Sequence, residues 1–162
     1  MIHQKIFYVD TKEVPLEPTD KLLILDRDGV INYDNDGYFH DKDNVTYIKK
    51  NLEVIKSYSD LGWSLCVASN QSGIGRGFYS REAFIELCQI MFKDLLREGI
   101  SISRWYYCPH NPNKSNCYCR KPNPGMLLKA KKDFQAKRVI FMGDSHSDQL
   151  AAMNAKVRFI PV

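Results

Sequence analysis

Four short clusters in this sequence carry side chains suited to moving a charged group. Asp26 and Asp28 flank Arg27 and are followed by Gly29. Glycine at that point permits the sharp turn that brings both carboxylates to one site. One carboxylate can then attack an electrophile while the other serves as general acid and base, and a hard cation would offset their repulsion. An Asp-x-Asp-Gly turn also opens calcium loops, but an EF-hand needs Glu at its twelfth position, which here is Gly37. Asp144 and Asp148, just after Gly143, make a second acidic site. Asp26 with Asp144 supplies the one or two carboxylates that Mg²⁺ takes alongside phosphate oxygens and water. Asp148 also suits the cap of a following helix, and we expect it to combine capping with a supporting hydrogen bond. Ser69, Asn70, Gln71 and Ser72, followed by Gly73, offer hydroxyl and amide donors for phosphate oxygens, although an ordinary polar strand exit has the same composition. Arg120 and Lys121 add cations suited to gripping and neutralising a phosphoryl group, though surface basic pairs are common too.

The cysteines point elsewhere. Cys66 and Cys88 sit singly inside apolar patterns and read as core residues. Cys108, Cys117 and Cys119 share one short segment with His110. An odd, clustered set fits a disulfide framework poorly. Three thiolates and an imidazole complete a tetrahedral zinc set with no position left for water, so the metal expected here is structural. The one-residue spacings differ from zinc-finger pairs, and unrelated cysteines are the competing reading. His3 and His40 read as surface residues, whereas His146, close to Asp144, is open between roles.

These side chains need elements to position them. Apolar runs at residues 21–25, 63–68 and 139–142 each end in the polar residues just named, as strands buried on both faces do. Leu52, Ile55, Tyr58 and Leu61 recur at helical spacing. Ser80 is placed to cap a second helix carrying Phe84, Leu87, Cys88, Met91, Leu95 and Leu96. Further helices are expected at 124–134 and 147–154, and strands at 102–107 and 157–160. Alternation of this kind predicts a parallel sheet with right-handed crossovers and a ligand crevice beyond the carboxyl ends of its strands. Residues 6–9 read as an edge strand in an extension over residues 1–20, with the rest, 21–162, forming one domain.

Composition narrows the class. The chain has 162 residues, 44% hydrophobic and 12% aromatic, enough for one packed core and too apolar for disorder. A net charge of +4 without long basic runs gives little support for a nucleic-acid partner. Apolar runs of about five residues fall far short of the roughly 20 that span a membrane, and the first ten residues are too mixed in polarity for a signal peptide. A cytoplasmic location is expected.

Taken in order, Asp26-x-Asp28, Ser69, Lys121, and Gly143-Asp144 with Asp148 resemble the four motifs of the haloacid dehalogenase superfamily of aspartate-dependent phosphatases, over about residues 21–161. The stretch from Asn70 to Ile74 with Arg76-Gly77, the triplet Cys108-Pro109-His110, and Cys119-Arg120-Lys121-Pro122 with Pro124-Gly125-Met126 resemble the D-glycero-D-manno-heptose 1,7-bisphosphate phosphatases. The related histidinol-phosphate phosphatases share the zinc loop but carry Asp where this chain has Ser72.

The resemblance implies a three-layer Rossmann-like α/β fold with a mainly parallel central sheet, a minimal cap, and a zinc-binding loop over 108–119 that walls the substrate cleft. It implies Asp26 as nucleophile and Mg²⁺ ligand. Asp28 would be acid and base, with its backbone carbonyl on the Mg²⁺. Ser69 and Lys121 would hold the phosphoryl group, and Asp144 would complete the Mg²⁺ site. Cys108, His110, Cys117 and Cys119 would hold Zn²⁺. Asp34, Tyr38, Asn70, Gln71, Ser72, Arg120 and Lys121 would contact substrate. The implied activity is hydrolysis of a small sugar phosphate by a monomer serving heptose precursors of cell-surface polysaccharide, with no nucleic acid or membrane involved. Histidinol-phosphate hydrolysis is the alternative. A polynucleotide 3′-phosphatase shares the Asp-x-Asp-Gly and Asn-Gln segments, and a zinc-stabilised binding module without turnover is the reading from another class. The chain departs from the family at Ser145, where Lys is usual, and in a loop over 33–38 one residue longer than usual.

Overall fold

The computed structural model describes residues 5–34 and 37–162, so His3, Asn35 and Asp36 lie outside it. Strand β2 (Lys21–Leu25) has four fully buried apolar residues, as a run covered on both faces requires. It is central to a six-stranded sheet whose other members are β1 (Phe7–Asp10), β3 (Ser64–Asn70), β4 (Ile102–Cys108), β5 (Arg138–Gly143) and β6 (Arg158–Pro161). The order is β1-β4-β3-β2-β5-β6, parallel throughout except for β1, which runs antiparallel to β4 at the edge. The edge strand thus begins and ends one residue later than the apolar run at 6–9.

Alternate residues of the strands feed two cores. Leu23, Leu25, Val67 and Trp105 pack with Ile55 of helix α1 (Lys49–Asp60) and with Phe84, Leu87 and Met91 of α3 (Arg81–Arg97). Leu22, Ile24, Cys66 and Phe141 pack on the other face against Met126 and Leu127 of α4 (Gly125–Asp133) and Ala151 of α5 (His146–Ala155). The result is the three-layer α/β arrangement expected from the alternation. Cys66 and Cys88 are buried, one in each core. Ser80 caps α3, its hydroxyl accepting from Ala83 N at 3.1 Å. A one-turn helix, α2 (Ser72–Gly75), was not expected, being too short for a periodic stripe to reveal.

Register decides what meets at the top of the sheet. Leu25 pairs with Val67 on one side and Met142 on the other. Asp26, Ala68-Ser69 and Gly143-Asp144 therefore emerge side by side beyond the carboxyl ends of three neighbouring strands.

Candidate active site

Asp26, Asp144 and Asp148 place a carboxylate oxygen each within 4.8 Å of one another. Asp26 and Asp148 are buried and Asp144 is exposed. Lys121, 3% exposed, reaches into this cluster from the segment before α4. Its ammonium donates to Asp26 Oδ1 at 2.9 Å and to the Ala68 carbonyl at 3.0 Å, and pairs with Asp148 Oδ1 at 2.6 Å. One ammonium thus faces three carboxylates. Burial, together with the charges of Asp148 and Asp28, overrides Lys121 and pushes the Asp26 carboxyl up to about 7. Burial and the Asp148 charge also raise Asp144. Burial works against the Lys121 charge, but its two carboxylate partners outweigh it and hold the amine above its ordinary range. A buried, oxygen-only, under-compensated acidic site fits a hard divalent cation such as Mg²⁺.

Backbone geometry makes room for it. Gly29 adopts φ +82°, and a side-chain carbon there would lie 1.8 Å from Asp144 Oδ2. Asp148 performs both roles expected of it. With Ser145 it forms a capping box at the start of α5: the Ser145 hydroxyl accepts from Asp148 N at 3.1 Å, and Asp148 Oδ2 accepts from Ser145 N and Asp144 N, each at 3.2 Å. The departure at Ser145 therefore has a structural function. Asp148 joins Asp144 in one acidic site, as its place just after Gly143-Asp144 leads us to expect, although the family resemblance does not make it an Mg²⁺ ligand.

The Asp28 side chain does not join that cluster. Its carboxylate accepts a two-pronged bond from Arg27, Nε at 2.7 Å and Nη2 at 2.9 Å, and a third bond from Asn32 at 3.1 Å. Arg27 is fully buried and also donates to the Phe39 carbonyl at 2.7 Å. Asp28 lines a cavity of about 350 Å³ with Asp34, Gly37, Tyr38, Asn70, Gln71, Ser72, Tyr79 and Arg120. Seven residues singled out from the sequence thus share one wall system. Arg120, one of those lining residues, has a buried Nη1 with no hydrogen-bond partner among the described residues. Tyr38 has φ +56°, unusual for a bulky residue, and its ring meets Phe78 edge-on at 4.9 Å. A cavity of about 370 Å³ near Tyr47, Lys49 and Glu98 holds neither acidic cluster nor nucleophile and is not the site.

Two of the donors expected for phosphate are engaged within the protein. Asn70 accepts from Lys121 N at 3.0 Å and donates to the Lys121 carbonyl at 3.1 Å, so its amide clamps the lysine. Gln71 bonds Ser69 and Tyr79 through its side chain, and its backbone N–H donates to the Cys108 carbonyl at 2.8 Å. These contacts span up to 51 residues of sequence, and local spacing cannot reveal them.

Cys108, His110, Cys117 and Cys119 bring their ligand atoms within 4.8 Å of one another. Cys108 Sγ lies 3.5 Å from Cys117 Sγ and 3.4 Å from His110 Nδ1, and Cys119 Sγ lies 3.2 Å from the same nitrogen. These separations approach the roughly 3.8 Å edge of a tetrahedron with Zn–S bonds of about 2.3 Å. The hydrogen bond between Cys119 and Cys108 holds the Cys108 thiol down and, with burial, pushes that of Cys119 up, so a metal on this pair would have to displace the proton they share. The four side chains fit a closed zinc site. His40 is exposed and stacks on Tyr79 at 4.8 Å, and His146 is exposed at the start of α5, outside both clusters.

Known proteins share these features. The family described as polynucleotide kinase 3 phosphatase matches residues 21–160. A D-glycero-β-D-manno-heptose-1,7-bisphosphate 7-phosphatase of Helicobacter pylori is 42% identical over 143 residues, covering 86% of this chain and 81% of that protein. A D-glycero-α-D-manno-heptose-1,7-bisphosphate 7-phosphatase of Campylobacter jejuni is 41% identical over 139 residues, covering 85% and 78%. The crystal structure of D,D-heptose 1,7-bisphosphate phosphatase from Bordetella bronchiseptica (B. bronchiseptica), complexed with magnesium and phosphate, superposes with a TM-score of 0.79 at 33% identity over 86% of this chain and 78% of that one. On these matches the chain belongs to the haloacid dehalogenase superfamily, among the D-glycero-D-manno-heptose 1,7-bisphosphate 7-phosphatases.

Proposed function

We propose that the chain removes the 7-phosphate of D-glycero-D-manno-heptose 1,7-bisphosphate, as a cytoplasmic monomer. The observation that carries this reading is the convergence of Asp26, Lys121, Asp144 and Asp148 beside a polar cavity with an unpartnered Arg120 nitrogen. In this reading the phosphatase domain is 21–162 and includes the zinc loop. Free cysteines throughout suit a reducing compartment.

Asp26 attacks phosphorus and the bond to the sugar oxygen breaks, leaving an aspartyl phosphate. Asp28, released from the Arg27 fork and protonated from solvent, gives that proton to the leaving sugar oxygen. It then takes a proton from the water that attacks phosphorus, which frees Asp26 and yields inorganic phosphate. Lys121 and Ser69 hold the phosphoryl oxygens through both steps. Asn70 fixes Lys121, and Arg120 with Asp34, Tyr38, Gln71 and Ser72 shapes the cavity around the sugar. Asp26, Asp144 and the Asp28 backbone carbonyl would hold Mg²⁺, which would supply positive charge to offset the repulsion between nucleophile and phosphate. Cys108, His110, Cys117 and Cys119 would hold Zn²⁺, which would order the loop leading into Arg120, itself a cavity-lining residue.

The polynucleotide reading rests on the family match and on the shared Asp-x-Asp-Gly and Asn-Gln segments, and the histidinol-phosphate reading is opposed by Ser72. Phosphate release is measured from both heptose bisphosphate anomers, histidinol phosphate and a 3′-phosphorylated oligonucleotide. Preferred turnover of a heptose bisphosphate, lost in Asp26→Asn, is expected. Preferred turnover of either other substrate, or of none, overturns the proposal.

A further inference from the structure

Ser69 sits at the end of β3, 1% exposed, one residue beyond the Ala68 carbonyl that holds Lys121. A serine hydroxyl has one proton to give and two lone pairs to receive. Trp105 Nε1 donates to Ser69 Oγ at 3.0 Å, and an indole N–H cannot accept. Gln71 Nε2 donates to the same oxygen at 3.3 Å. The orientation of the Gln71 amide matters, because a reversed amide would present an acceptor to Ser69 and absorb its proton. Tyr79 decides it. The Tyr79 hydroxyl is buried and donates to Gln71 Oε1 at 2.7 Å, and a reversed amide would leave that proton without this acceptor. Tyr79 is itself fixed, stacked on His40 at 4.8 Å and 18°, and packed so closely on Gly73 that a side-chain carbon there would lie 2.2 Å from its ring.

We propose that Trp105, Gln71 and Tyr79 are positioning residues that saturate Ser69 as an acceptor, so that its hydroxyl can only donate, and donates to a phosphoryl oxyanion. Among the described residues no acceptor takes the Ser69 proton. A free serine rotor would spread that proton over several staggered positions and must reorganise when an anion arrives. Here the reorganisation is complete beforehand, which is the condition under which a donor is most effective toward charge. The same saturation selects against a protonated phosphate, whose O–H would find no acceptor on Ser69. This inference rests on the phosphatase reading for the identity of the anion, but the network and its polarity do not.

The experiment measures inorganic phosphate binding by calorimetry in Mg²⁺-containing buffer for the wild type, Tyr79→Phe, Trp105→Phe, Ser69→Ala and the two double variants with Ser69→Ala. Each of the first two substitutions removes one N–H or O–H and keeps an aromatic ring in place. Each is expected to weaken phosphate binding about three- to tenfold, the range for one neutral hydrogen bond. In the Ser69→Ala background the same substitutions are expected to change binding less than twofold, since their effect passes through the hydroxyl. A merely structural role predicts equal losses in both backgrounds, and that result overturns the proposal, as does an unchanged affinity in Tyr79→Phe. Tyr79→Phe leaves the Trp105 core contact intact, so it decides the matter if Trp105→Phe does not fold. A wild type that binds no phosphate and hydrolyses no phosphate ester overturns the phosphatase reading and, with it, the anion. Phosphate binding without the background dependence overturns only the positioning network.

Discussion

Gly29 and Asp144 come from opposite ends of the chain and occupy space that excludes any side chain between them: a carbon on Gly29 would lie 1.8 Å from Asp144 Oδ2. Gly29 also needs φ +82° for the turn that follows Asp28. Gly29→Ala therefore displaces a carboxylate of the acidic cluster and strains the turn. We expect activity to fall at least about a hundredfold, with a stability loss of about 1–3 kcal/mol. Steady-state phosphate release and thermal melts measure the two. Activity within twofold of wild type would show that the Asp144 position is not required.

The cluster charge also makes magnesium binding depend on pH. Burial and like charge push Asp26 up to about 7 from an ordinary value of 3.8. A carboxyl raised on folding binds its proton more tightly in the folded state, so its ionisation destabilises the metal-free protein as pH rises from about 4 to about 7. Mg²⁺ must displace the same proton, and its affinity is expected to weaken as pH drops below about 7, by at most about tenfold per unit. Titrations of zinc-loaded protein at pH 6, 7 and 8 test the trend. The pH dependence should shrink in Asp26→Asn, and affinity flat across the range in wild type contradicts the assignment of the proton to this site.

Much of this was legible because function sits where strands end. Runs buried on both faces announce themselves by composition, and their polar exits at Asp26, Ser69 and Asp144 follow directly. The zinc ligands were legible because four soft donors lie close together in sequence. Contacts between distant segments were not. Nothing local tells that the Asn70 amide turns to Lys121, or that the indole of Trp105 reaches Ser69. Donor-rich side chains look identical in sequence whether they face a ligand or brace a residue that does.

Asn70 offers a direct test of that distinction. Its amide makes two bonds to the Lys121 backbone, at 3.0 and 3.1 Å. Asn70→Ala is expected to cost about 1–3 kcal/mol of stability and to lower kcat more than it raises KM, because a loosened Lys121 still binds but no longer sits on Asp26. A pure KM effect would return Asn70 to the role of substrate donor.

The zinc loop carries the last prediction. Residues 111–116 are all polar or proline, and all six are exposed or partly exposed, which leaves little apolar surface to order them. Their conformational entropy must be offset by the metal. The loop also carries function onward: Arg120 and Lys121 follow Cys119 directly, and α2 packs against the loop through Gly75 N and the Pro109 carbonyl at 2.8 Å. Loss of zinc should therefore loosen both cations without touching the acidic cluster itself. Cys119→Ala is expected to lower the melting temperature and to raise KM, while Mg²⁺ affinity stays within about threefold of wild type. Elemental analysis, melting curves and kinetics on the same preparations measure these together. Wild-type protein that holds well under one zinc per chain even after zinc is added would refute the site, and a zinc-free variant with unchanged KM would separate the metal from the placement of Lys121.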